Sequence, residues 1–76
     1  MKKVKIQISG VYDITQFIEH ASKVEEPGVI VYKGSTMIDG SSLMGMLNLD
    51  TTHGVIVEYP QDAQDFDDFM QKFMSD

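Results

Sequence analysis

The chain opens on strict alternation. In Lys3-Val4-Lys5-Ile6-Gln7-Ile8 every second residue is apolar, the period of a half-buried strand. Val4, Ile6 and Ile8 face inward; Lys3, Lys5 and Gln7 face water. Gly10 breaks the pattern, and from Asp13 the period changes. Ile14, Phe17, Ile18 and Ala21 fall at i, i+3, i+4 and i+7, one face of a helix. Asp13 followed by Gln16 has the form of a capping box, which predicts Asp13 as the helix N-cap. Pro27-Gly28 ends this region. Val29 to Lys33 is β-branched and aromatic, a second strand. Gly34-Ser35 predicts a hairpin turn into a short third strand, Thr36 to Asp39. Gly40-Ser41-Ser42 opens a short helix, Leu43 to Leu49. Val55 to Tyr59 is a fourth strand closed by Pro60. Asp62 is expected to cap a last helix, whose inner face carries Phe66, Phe69, Met70 and Phe73.

The predicted order is β-α-β-β-α-β-α in a single domain over residues 1–76. No repeat, linker or low-complexity stretch interrupts it. The elements fit two layers, a sheet with its helices on one face, and the hairpin makes at least one strand pair antiparallel. The other sheet face then meets water.

Composition narrows the chemistry. Only 42% of the 76 residues are apolar, enough for one modest core. There is no cysteine, which removes disulfides, zinc thiolates and cysteine nucleophiles together. The six basic residues are all lysines, and the net charge is −6. An acidic balance argues against broad nucleic-acid binding, which needs a basic surface. Apolar runs are too short to span a membrane. The start, MKKVKIQIS, lacks the apolar core of a signal peptide. These features predict a cytoplasmic protein without nucleic-acid or membrane partners. Charge is also uneven: Asp62, Asp65, Asp67, Asp68 and Asp76 crowd the last segment. Such a run reads first as a solvated helix face, and second as a surface for a basic partner.

Two stretches resemble a known family. The string Asp39-Gly40-Ser41-Ser42-Leu43-Met44-Gly45-Met46-Leu47-Asn48-Leu49 resembles the second-helix motif of HPr, the small phosphocarrier of the bacterial sugar phosphotransferase system. Low-GC Gram-positive members read close to K-S-I-M-G-V-M-S-L there. The element order, the chain length and the aromatic last helix are similar too, so the resemblance covers essentially the whole chain. It implies an α+β, HPr-like open-faced two-layer sandwich, with a four-stranded antiparallel sheet and three helices on one face.

The second stretch is where the family's chemistry would sit. HPr proteins carry G-L-H-A-R-P-A after the first strand, with a histidine that accepts a phosphoryl group. The matching residues here are Gly10-Val11-Tyr12-Asp13-Ile14-Thr15-Gln16. Tyr12 occupies the phosphohistidine position, Ile14 the arginine position and Thr15 the proline position. A phenol with a pKa near 10 is a poor replacement for an imidazole that is partly neutral near pH 7. No arginine exists in the chain to clamp a phosphoryl group. A carboxylate at the predicted Asp13 cap would also repel one. The chain is therefore not expected to act as a phosphocarrier or as an enzyme.

His20, within the first helix, and His53, in the Thr51-Thr52-His53-Gly54 loop, read as surface histidines. They are too few for a metal site. No metal or other cofactor is expected.

What the resemblance implies instead is regulation. In the Gram-positive branch, the serine matching Ser42 is phosphorylated by HPr kinase/phosphorylase. The physics is compatible: a serine at a helix start caps free N–H groups, and a phosphate there adds charge where the helix dipole favours it. Leu43, Met44, Met46, Leu47 and Leu49 surround most of a two-turn helix, and not all can be buried. Leu43, Met44 and Leu47, joined by Tyr12, form the predicted partner-binding surface. The chain is thus expected to be similar to the catabolite-repression HPr-like proteins, which lack the active histidine but keep the serine. Expected partners are the kinase and a LacI-type regulator or other phosphotransferase-linked proteins. The alternative is a diverged domain that binds a protein, or itself, without phosphorylation.

Overall fold

A computed structural model describes residues 1–74. Its elements run β1 (Lys2–Ile6), α1 (Val11–Ala21), β2 (Ile30–Lys33), β3 (Thr36–Asp39), α2 (Leu43–Asn48), β4 (Val55–Tyr59) and α3 (Gln64–Met70), followed by a 3-10 turn at Gln71–Phe73. The four strands form one antiparallel sheet in the order β1-β4-β2-β3. The chain is α+β, a four-stranded open sheet with three helices, as the apolar periods predict.

Alternation decides which sheet face is covered. Ile6, Val31, Val55, Val57 and Tyr59 are buried beneath Ile14, Phe17 and Ala21 of α1, Met46 of α2, and Phe66 and Met70 of α3. Lys3 and Lys5 stand on the open face, where the Lys3 Nζ lies 5.8 Å from the centre of the Tyr32 ring. The Tyr32 hydroxyl donates to Glu58 Oε1 at 2.7 Å. The helix layer meets through aromatic edges: Phe66 packs T-shaped against Phe17 and Tyr59, at 5.6 and 5.0 Å between ring centres.

The turns follow their residues. β2 and β3 are joined by Gly34-Ser35, with Lys33 paired to Thr36. Gly34 has φ 60, the positive value a two-residue hairpin demands at its first turn position.

The caps predicted for α1 and α3 lie elsewhere. α1 begins at Val11, before Asp13, and its N-cap is Gly10 at φ 91 with no side-chain cap bond. The Gly10 carbonyl accepts from the Ile14 N–H at 3.2 Å. Asp13 therefore sits in the first turn, so it does not occupy the N-cap. A positive φ that glycine tolerates lets the backbone enter the helix three residues sooner than the capping box predicts. Asp62 does not cap α3 either. The Ala63 N–H closes a turn onto the Pro60 carbonyl at 3.1 Å, so Ala63 becomes the N-cap and the helix starts at Gln64.

The acidic end is not uniformly solvated. Asp67 Oδ1 accepts from Lys2 Nζ at 2.7 Å and from the Tyr59 hydroxyl at 2.6 Å. This clamp ties α3 to both β1 and β4. The hydrogen bonds from Lys2 and then Tyr59 hold the Asp67 carboxyl below its ordinary range. Burial, reinforced by the same bond, pushes the Tyr59 phenol well above its ordinary value. Asp62, Asp65 and Asp68 are exposed, and Asp76 lies outside the described residues.

Candidate functional site

The segment from Asp39 to Leu49 is built from the turn upward. Asp39 Oδ1 accepts from the Ser41 N–H at 2.9 Å and from the Ser41 hydroxyl at 2.8 Å. These bonds, the backbone one first, hold the Asp39 carboxyl below its ordinary range. The Asp39 carbonyl accepts from the Ser42 N–H at 3.0 Å, which closes the turn. Ser42 then leaves the turn in an extended conformation, φ −91 and ψ 112, and caps α2. Its Oγ accepts from the Gly45 N–H at 3.2 Å, and its carbonyl accepts from the Met46 N–H at 3.0 Å. The predicted cap at Ser42 is present in this geometry.

α2 divides its apolar residues in two. Met46 is fully buried and Leu49 packs half-buried against the core. Leu43, Met44 and Leu47 stay exposed, Met44 to 72%. No charged side chain lies between Gly40 and Leu49. α1 packs against α2. The first turn of α1 exposes Tyr12 to 72% and Val11 to 63%. Exposed apolar groups are thus concentrated at the start of one helix and on its neighbour. Val11 is not part of the predicted patch, because a cap at Asp13 would start the helix three residues later, at Ile14.

Tyr12, Ile14 and Thr15, the residues that the HPr resemblance matched to a phosphotransfer stretch, are placed as follows. Tyr12 points into solvent. Ile14 is buried in the core, 8% exposed, so a side chain at this position packs rather than reaching toward the α1 N-terminus. The Thr15 hydroxyl donates to the Tyr12 carbonyl at 2.7 Å.

Of the two histidines, His53 lies at the surface as expected and His20 does not. His20 is half-buried, its ring stacked on Phe69 at 3.9 Å and 9°, with Nδ1 donating to the Gln16 carbonyl at 2.8 Å. His53 is exposed but paired, its Nδ1 lying 2.8 Å from Asp50 Oδ2. Thr52 donates to Asp50 Oδ1 through its hydroxyl at 2.7 Å and through its N–H at 3.2 Å. The Thr52 hydroxyl first, then His53, pull the Asp50 carboxyl down to about 2. The signal was present as an aspartate three residues before the histidine within a turn. Next to this turn, the buried Thr51 hydroxyl donates to the Ile8 carbonyl at 2.7 Å and anchors the loop beside the entry to α1.

Among the described residues, no group of three or more histidines and carboxylates is placed to hold a metal ion. No helix among them is long and apolar enough to cross a membrane. No family model, curated protein or solved structure matches the chain.

Proposed function

We propose that this chain is an HPr-like regulatory interaction protein, cytoplasmic, and related to the sugar phosphotransferase system without serving as its histidine phosphocarrier. The observation that carries the reading is the uncharged α2 helix, capped by Ser42 and exposing Leu43, Met44 and Leu47 beside Tyr12. Methionines and leucines on an accessible helix adapt to several partner shapes. The tyrosine and buried isoleucine at the family's histidine and arginine positions support the loss of phosphocarrier chemistry.

In this reading HPr kinase/phosphorylase docks on the α2 face and transfers the γ-phosphoryl group of ATP to Ser42 Oγ. The new bond is Oγ–P, ADP leaves, and the hydroxyl proton passes to a base on the kinase. The added charge, about −1.5 to −2, falls at a helix start whose dipole favours it. The change alters the surface offered to a LacI-type regulator or another phosphotransferase-linked protein while the core stays intact.

Intact mass after incubation with the kinase and ATP tests the proposal. One added phosphate mapped to Ser42, and absent from Ser42→Ala, is the expected result. No added mass, with authentic HPr phosphorylated in the same tube, overturns the Ser42 step. It would leave the second reading, a domain that docks through α2 without modification, which the exposure of α2 in the unphosphorylated chain favours.

A further inference from the structure

The two edges of the sheet are built differently. β1 carries Lys2, Lys3 and Lys5 along its edge. Lysines in that position discourage pairing with a second strand. β3 forms the other edge with Thr36-Met37-Ile38-Asp39, which has neither lysine nor proline, and its register against β2 runs unbroken.

The direction of its backbone groups follows from the end of the ladder. The Gly40 N–H donates to the Val29 carbonyl at 2.8 Å. Counting back by two, Ile38 and Thr36 turn their N–H and C=O groups toward β2, while Met37 and Asp39 turn theirs outward. The Asp39 carbonyl is taken by the Ser42 N–H. The N–H and C=O of Met37 and the N–H of Asp39 have no backbone partner among the described residues. The Met37 side chain is 62% exposed on the open face.

From this edge we infer that two copies of the chain associate through β3, antiparallel about a two-fold axis, with each Met37 opposite Met37 of the other copy. Each Met37 N–H then donates to the other Met37 carbonyl, and each Asp39 N–H to the Ser35 carbonyl of the other copy. The register keeps side chains on matching faces, Met37 against Met37 on the open face and Thr36 against Ile38 on the helix face.

Charge selects a second copy as the occupant. The chain carries −6, so two copies repel over most approaches. Gly34 to Ile38, the stretch that lies against the other copy in this register, carries no charged side chain, so two copies meet there without that penalty. A strongly acidic or basic partner finds no complement there. The two Asp39 carboxylates stand four residues apart in the paired register, roughly 13 Å at the rise of a strand. That exceeds the screening length of about 8 Å at physiological salt. A short edge makes a small interface, so the association is weak and concentration-dependent. It rests on neither Ser42 nor Tyr12.

Sedimentation equilibrium of the full chain over a wide concentration range tests it. The wild type is expected to move from 8.5 kDa toward twice that mass as concentration rises. Met37→Pro removes an outward N–H that the β2 ladder does not use, so it is expected to stay monomeric with an unchanged circular dichroism spectrum. Met37→Lys reproduces the protection seen on β1 and is expected to be monomeric as well, which keeps the test decisive if the proline variant unfolds. Met44→Asp, which alters only the α2 face, is expected to dimerise like the wild type. A wild type that stays monomeric throughout overturns the inference. So does a dimer that survives Met37→Lys, or one that Met44→Asp alone abolishes.

Discussion

Asp50 and Asp67 show how the same residue type is held in two ways. Asp50 is gripped within its own turn by Thr52 and His53, and its carboxyl is expected to titrate at about 2. Thr52→Val removes the largest cause, so the carboxyl carbon shift of Asp50, followed by NMR, is expected to titrate at higher pH. An unchanged midpoint would show that the turn, not the hydroxyl, sets it. Asp67 instead joins distant elements through Lys2 and Tyr59. Its pKa is depressed in the folded chain, so its stabilisation is complete above the unfolded value, about 3.9, and is lost as pH falls through the depressed one. Asp67→Asn is expected to lower Tm near neutrality, with the gap to wild type closing in acid. Tyr59→Phe removes a hydrogen bond to a charged acceptor and is expected to cost about 1.5 kcal/mol, a Tm drop of roughly 6–12 °C read by thermal denaturation. Tyr59 has the opposite pH sense. Its pKa is raised, so its stabilisation is present below about 10 and is lost as pH rises through the raised value.

At the scale of elements, α2 depends most on a single side chain. It is six residues long, too short to persist on propensity alone, and Ser42 satisfies one of its free N–H groups. Ser42→Ala is expected to destabilise the chain by about 1 kcal/mol in urea unfolding, and Ser42→Asp by less. Equal losses would show that the cap bond contributes little. The elements themselves were legible because burial imposes period two on β1 and β4, and the 3.6 period on α1. The helix starts were less so. Asp13 and Asp62 are good caps by residue type, yet Gly10 and the Pro60–Ala63 turn decide where the backbone enters each helix. A serine cap was legible in Ser41-Ser42, but the choice between the two is made by the turn, where Asp39 engages the Ser41 N–H and hydroxyl and Ser42 is left to cap α2. The pairing of Asp50 with His53 and the stacking of His20 on Phe69 were not read from the sequence. The first depends on the path of a loop, and the second joins two helices far apart in the chain.

The whole molecule separates its surfaces by chemistry. Lysines line one edge of the sheet and its open face, and exposed aspartates line α3. The neutral apolar groups gather on α2 and at the start of α1. Because Met44 and Leu47 are exposed, Met44→Asp and Leu47→Asp are expected to change folding stability by no more than about 0.5 kcal/mol. If the kinase docks on α2, the same substitutions weaken its binding, and that contrast separates a contact surface from a structural one. The deciding measurement is the initial rate of Ser42 phosphorylation by HPr kinase/phosphorylase and ATP, taken over a range of concentrations of the wild type and of Leu47→Asp. The wild type is expected to take one phosphate on Ser42, and Leu47→Asp is expected to show a raised KM with an unchanged Tm. A wild type that takes none, while authentic HPr is phosphorylated under the same conditions, would contradict this proposal.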